Sequence, residues 1–207
     1  MKIIVTNDDG IYSPGILELK KAMELLGSVT LVAPDVQKSG VGHSITFSHP
    51  LRVRDVYANG DFIGYGIDGS PADCVKLAVR EILKERSQLL VSGINIGANV
   101  GINVLYSGTV AAAIEGALLG IPSVALSLEI SESAPDVKGA AETAKDIIAL
   151  IMKKELPRGT LLNVNIPNIS KDKIKGVKIT KQFSGDFDEH YEKRTDPRGI
   201  AYYWLSG

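Results

Sequence analysis

The stretch "TNDDGI", residues 6–11, places two carboxylates, Asp8 and Asp9, side by side where an apolar run ends. Two readings apply. Asn, Asp and Gly are turn residues, because Asx side chains bond the local backbone and Gly accepts positive φ. Adjacent carboxylates are also hard oxygen ligands suited to Mg²⁺ or Mn²⁺. Successive side chains of a strand point to opposite faces, so the pair converges on one ion only after the backbone has left the strand, which Gly10 permits. Two other stretches offer compatible chemistry. "KSGVGH", 38–43, supplies the hydroxyl of Ser39 and an imidazole, His43. "SGINIGANVGINVLYSGT", 92–109, supplies the amide oxygen of Asn95 and then Ser107-Gly108-Thr109 ahead of a small-residue segment. Helix N-termini bind anions through their free N–H groups, and Ser and Thr add hydroxyl donors. A divalent cation beside such a helix start suits a phosphate ester.

Each residue also has a plainer role. Ser107 is a good N-cap, which does not exclude phosphate contact. Ser39-Gly40 reads alone as a turn, and Asn95 as an Asx turn. His43 lacks a second His or Cys at ligand spacing, so it reads as a hydrogen-bonding loop residue. Asp73 reads as a helix-start residue. Cys74 has no His placed to activate it and reads as core.

The elements that must position these residues follow from pattern. Residues 2–6 and 29–34 read as buried strands. Between them Ser13-Pro14 reads as N-cap and first helical position, and Gly27 closes the helix. This β-α-β unit predicts a parallel pair. Residues 45–67 hold strand-like pieces around turns at Pro50 and Asn59-Gly60. Ser70-Pro71-Ala72-Asp73 opens a helix running to about Glu85. Strands are expected at 89–93, 122–128 and 160–167, with helices after Ser107 and over 138–153. From about 170 the alternation stops: "GVKITKQ" is β-like, "SGDFDEHYEKRTDPRG" is charged and turn-rich, and "IAYYWLSG" is again β-like. The pattern predicts an α/β fold, a Rossmann-like doubly wound, mostly parallel sheet over residues 1–170, with a β-rich arm over 171–207. If the strands are parallel, the three chemistry-bearing loops share one sheet edge.

Composition narrows the class. The chain has 207 residues, a formal net charge of −1 and 44% hydrophobic residues, as expected of a globular protein with a sizeable core. No basic excess points to nucleic acid, and no run of about 20 apolar residues points to a membrane span. One cysteine and no signal-peptide pattern at the N-terminus fit a reducing cytoplasm. The P-loop, the dinucleotide fingerprint and the G-x-S-x-G elbow are absent.

The motifs together, "TNDDGI" at 6–11, "APD…SGVGHSIT" at 33–46, "GSPADCVKLA" at 69–78, "VSGINIGANVG" at 91–101 and "YSGTVAAAIEGA" at 106–117, closely resemble the survival protein E (SurE) family of metal-dependent nucleotide phosphatases. "NVNIP" at 163–167 and "YYW" at 202–204 also fit. The resemblance implies hydrolysis of nucleoside 5′-monophosphates with one divalent cation, Mg²⁺ or Mn²⁺, per subunit. It maps metal ligands onto Asp8, Asp9, Ser39 and Asn95, and phosphate contacts onto Asn7 and Ser107-Gly108-Thr109. Asp8 and Asp9 carry the catalysis, either being open to act as general base. It further implies a homodimer or tetramer whose C-terminal segments exchange between subunits. Family members usually continue well beyond the position of Trp204, whereas this sequence ends at Gly207. Two other readings compete: a haloacid-dehalogenase-like phosphatase, which needs D-x-D rather than adjacent aspartates, and a non-catalytic nucleotide-binding regulator.

Overall fold

The computed structural model describes residues 1–130, 132–154, 156–157, 159–183 and 189–206. Its centre is a seven-stranded sheet. In chain order the elements are β1 (Lys2–Thr6), α1 (Pro14–Glu24), β2 (Ser28–Pro34), β3 (Val53–Ala58), β4 (Asp61–Ile67), α2 (Pro71–Leu77), β5 (Leu89–Ile96), α3 (Asn103–Tyr106), α4 (Gly108–Leu118), β6 (Ser123–Leu128), α5 (Val137–Ile151) and β7 (Leu161–Ile166). The order across the sheet is β3-β4-β2-β1-β5-β6-β7. Every neighbouring pair is parallel except β3 with β4, whose Asn59-Gly60 turn has positive φ at both residues, 53° and 90°. That geometry matches the right-handed twist of a hairpin.

Alternation along the central strands builds two cores. On one face Ile3, Val5, Leu89 and Val91 pack with Ile16 and Leu19 of α1 and Ala144 and Ile148 of α5. On the other, Ile4 and Leu90 pack with Val75 of α2 and Val110 and Ala113 of α4. The sheet is thus covered on both sides, as parallel sheets require. β1 lies between β2 and β5, so the chain reverses its direction of winding there. Ligands of open α/β sheets bind beyond the carboxyl ends of the strands at such a reversal.

Several local expectations change. Ser13 occupies the N-cap of α1, but its side chain makes no capping bond and instead accepts from Asn7 Nδ2 at 2.8 Å. The helix that opens at Pro71 does not run unbroken to Glu85. It widens to i→i+5 bonding over Ala78–Ile82, with Leu83 N–H donating to the Ala78 carbonyl at 2.9 Å. The stretch between the strand expected at 89–93 and the helix expected after Ser107 is not all loop, because β5 resumes its register with β6 at Asn95 and Ile96 and α3 fills 103–106.

After β7 the expectation is partly corrected. "GVKITKQ" forms no strand: among the described residues no strand pairs with it, Ile179 is 97% exposed, and an unpaired strand leaves its backbone groups to water. Within the stretch read as charged and turn-rich, β8 (His190–Thr195) forms and pairs antiparallel with β9 (Ala201–Ser206). Asp196 caps the connecting turn through Oδ1, which accepts from the N–H groups of Arg198 and Ile200 at 2.9 and 2.8 Å. Residues 184–188 of that stretch, and Gly207, lie outside the described residues.

Candidate active site

The sequence places the chain's two adjacent aspartates at the end of β1, and the fold places that end at the winding reversal. Asn7 is fully buried. Its Nδ2 donates to the Gly10 carbonyl at 3.1 Å as well as to Ser13, which closes the turn that Gly10 enters at φ 95°. Asn7 Oδ1, by contrast, is buried, with no hydrogen-bond partner among the described residues. Buried polar atoms are almost always paired, and Thr6 Oγ1 and Ser92 Oγ beside it share this state, so the strand ends next to the aspartates carry unspent polar capacity.

Asp8 is 4% exposed and sits against the start of α4. Its Oδ1 accepts from Thr109 Oγ1. Gly108 makes the approach possible, since a Cβ there would stand 2.7 Å from Asp8 Cβ and 3.0 Å from Asp8 Oδ2. Burial pushes the Asp8 carboxyl above its ordinary value, opposed by hydrogen bonding from the Thr109 side chain and the backbone of Thr109 and Gly108. Asp9 is half-buried. Burial, and then the neighbouring Asp8 charge, push it up to about 6. Among the described residues no lysine, arginine or histidine forms an ion pair with either aspartate. Two like charges packed together without a counter-charge are the donor set a cation would satisfy.

Thr109→Val removes the hydroxyl that fixes Asp8 and should weaken Mn²⁺ binding and turnover by about 10- to 100-fold, with Thr109→Ser retaining both. Equilibrium dialysis with Mn²⁺ checks this; unchanged affinity in the valine variant would show that the bond does not orient the carboxylate.

The other predicted residues arrive by separate routes. The loop after β2 docks on the β1 loop through Lys38 N–H, which donates to the Asp8 carbonyl at 2.7 Å, and Gly42 N–H donates to the Tyr106 carbonyl at 2.9 Å. Ser39, between these ties, is exposed, and its Oγ accepts from Gln37 Nε2 at 2.8 Å. Asn95, at the end of β5, donates from Nδ2 to the Gly97 carbonyl at 2.6 Å, which leaves Oδ1 as its presented atom. Among the described residues no hydrogen bond joins the Ser39 or Asn95 side chain to Asp8 or Asp9. Ser107 is the N-cap of α4, its Oγ accepting from Val110 N–H at 3.1 Å.

Sequence reasoning missed several supporting residues. Asn99 is held in a polar knot: its N–H donates to Asn165 Oδ1 at 2.9 Å, its Nδ2 to Ser127 Oγ at 2.8 Å, and its carbonyl accepts from Asn163 and Asn165 at 2.8 and 3.1 Å. The two asparagines of "NVNIP" therefore pin the loop that follows Asn95 and the end of β5. Their spacing of two, on one face of a strand, was the available signal. Asp73 does more than start α2. It completes a capping box with Ser70 and also accepts from the Thr46 N–H and hydroxyl at 3.0 and 2.7 Å. Burial would raise its pKa, but the bonds from Thr46 and Ser70 outweigh that and hold it below the ordinary value. Cys74 is fully buried, and burial pushes its thiol well up, so it is core rather than nucleophile.

With this geometry in view, comparison with known proteins identifies the family. A family model described as Survival protein SurE matches residues 3–189. The chain belongs to the SurE family. It is 48% identical over 206 residues to a relative named 5′-nucleotidase SurE from Syntrophobacter fumaroxidans, covering 100% of this chain and 82% of that one. It is 46% identical over 207 residues to the 5′-nucleotidase SurE of Syntrophus aciditrophicus, covering 100% and 77%. The crystal structure of a SurE protein from Aquifex aeolicus superposes with a TM-score of 0.87 at 43% identity, over 100% of this chain and 82% of that chain. The SurE fold thus confirms the doubly wound α/β architecture.

Proposed function

We infer that this chain is a 5′-nucleotidase that hydrolyses nucleoside 5′-monophosphates to nucleoside and phosphate with a divalent cation. The relatives' names support the reaction class. The observation that carries the cation is the aspartate pair at the winding reversal, without a counter-charge among the described residues and next to an unpartnered buried oxygen of Asn7. The haloacid-dehalogenase reading loses its basis with the family match and the adjacent spacing of the aspartates. The regulator reading is not favoured by relatives named as enzymes.

In this reading Asp8, Asp9, Ser39 and Asn95 hold Mg²⁺ or Mn²⁺, all through oxygen. When bound, the ion offsets phosphate charge and polarises a phosphoryl oxygen. Thr109 and the Gly108 backbone orient Asp8. The positive end of α4 faces the phosphate, with its first N–H groups spent on Asp8 and Ser107, and Asn7 holds the turn. Asp9, half-buried and free of the bond that occupies Asp8, takes the proton from the attacking water. We place one ion in each subunit of at least a homodimer. No helix among the described residues is long and apolar enough to cross a membrane, and a buried, unpaired Cys74 fits a cytoplasmic setting.

The test is phosphate release from a panel of nucleoside 5′-monophosphates and a simple chromogenic phosphomonoester. EDTA should abolish turnover, and Mn²⁺ or Mg²⁺ should restore it. Full turnover in excess EDTA removes the cation from the mechanism; activity on the chromogenic ester with none on any nucleotide removes the nucleotide.

A further inference from the structure

Helix α4 carries one charged residue, Glu115, which is 5% exposed. A carboxylate rarely lies that deep without partners. Glu115 Oε2 lies 2.9 Å from His43 Nε2, and Oε1 lies 3.6 Å from Lys76 Nζ. One buried side chain therefore ties the loop after β2 to both α4 and α2. That loop carries Ser39. On the near side it is anchored by Lys38 N–H on the Asp8 carbonyl; on the far side by Gly42 N–H on the Tyr106 carbonyl and by His43 on Glu115. Between the anchors the tip has little support: Ser39 is exposed, and a Cβ at Gly40 would meet no atom within 4 Å. The place of Ser39 is set by its anchors rather than by its own packing.

We propose that Glu115 is a positioning residue that, through His43, fixes the far anchor of the Ser39 loop and so the hydroxyl this loop presents to the divalent cation. The proposal rests on Ser39 being a cation ligand, as read above. Groups that orient ligands in this way contribute strongly to affinity although they never touch the ion.

The experiment measures Mn²⁺ affinity by equilibrium dialysis, together with amide hydrogen exchange over residues 38–44, for the full chain and for Glu115→Gln, His43→Gln, the double variant and Asp8→Asn. Glu115→Gln and His43→Gln should each raise the Mn²⁺ Kd about 10-fold and speed exchange in the loop. The double variant should be no worse than either single one, because both cut the same tie. Should Glu115→Gln fail to fold, His43→Gln decides, since that ring lies at the surface end of the pair. A lowered melting temperature with wild-type Kd and loop exchange would make the pair purely structural and overturn the proposal. So would additive effects in the double variant. Loss of Mn²⁺ binding in Asp8→Asn alone, with both Gln variants unchanged, leaves the cation reading standing and sinks only this one. A wild-type chain that binds no Mn²⁺ overturns both.

Discussion

Asp9→Asn is expected to lower turnover by about a thousandfold and, at the same time, to make the metal-free protein more stable near neutral pH. The first effect follows from removing anionic charge from the cation site we propose, a change of several kcal/mol at about 1.4 kcal/mol per tenfold. The second follows from the native environment. Asp9 is pushed from 3.8 up to about 6 by burial and by Asp8, so the folded state binds its proton more tightly than the unfolded chain does. The penalty of ionising it is absent below about pH 4, grows as pH rises through 6 and is complete above. For a half-exposed group it amounts to about 1 kcal/mol after solvent screening. Metal-free wild type should therefore lose stability from pH 4.5 to 7.5 by this amount more than Asp9→Asn does. A bound cation should reverse the loss in wild type, by about 2.7 kcal/mol at a hundredfold excess over Kd, and do nothing for the variant. Urea midpoints at the two pH values, with and without Mn²⁺, carry the test. A variant that keeps the Mn²⁺-induced shift would show that Asp9 is not a ligand. Asp8→Asn should lose turnover to a similar degree, since we propose Asp8 as the other anionic ligand.

The central fold was legible because local signals and tertiary context agree. Ile3-Ile4-Val5, Leu89-Leu90-Val91 and the strand over 123–128 are buried on both faces, so their unbroken apolar runs needed no alternation to be read as parallel strands. Pro14 and Pro71 marked helix starts for a backbone reason that holds in any context. The errors fell where partners decide the outcome. "GVKITKQ" has the composition of a strand but, among the described residues, no strand to pair with, whereas His190–Thr195, with Glu192, Lys193 and Arg194 in a row, becomes a strand because β9 supplies its bonds.

The candidate site was legible as residue types rather than as contacts. Asp8, Asp9 and the α4 start could be assigned to one sheet edge from the strand order alone. That Thr109 spends its hydroxyl on Asp8 could not be read, since the two residues stand 101 positions apart. Glu115 was the more avoidable omission. A lone carboxylate amid "TVAAAIEGALL" violates the apolar character of its helix, and such violations point to a tie that the rest of the structure requires.

Removal of residues from about 183 onward should shift the dimer we propose toward monomer while leaving the Mn²⁺ affinity proposed for Asp8 and Asp9 unchanged. The β8–β9 hairpin makes its own cross-strand bonds, yet a two-stranded ribbon is at best marginal in water. Its side chains are bare on both faces. Alternation puts Tyr202 and Trp204 on one face and Tyr203 and Leu205 on the other, and all four are 41–58% exposed. Tyr191, opposite Leu205, adds to the second face at 68%. An apolar surface shared by both sides of a protruding ribbon calls for a covering, and a second copy across a twofold axis supplies the same ribbon in return. Gln182, which bonds the Gly101 carbonyl at 2.9 Å and so ties the chain to the site loop, is kept in the shortened form. Trp204 is the single tryptophan, so its emission reports the arm alone. Sedimentation of the full chain should give at least a dimer at micromolar concentration, and dilution should shift Trp204 emission to the red as the subunits part. A full chain that is monomeric, or a shortened chain that stays dimeric, would assign assembly to another surface.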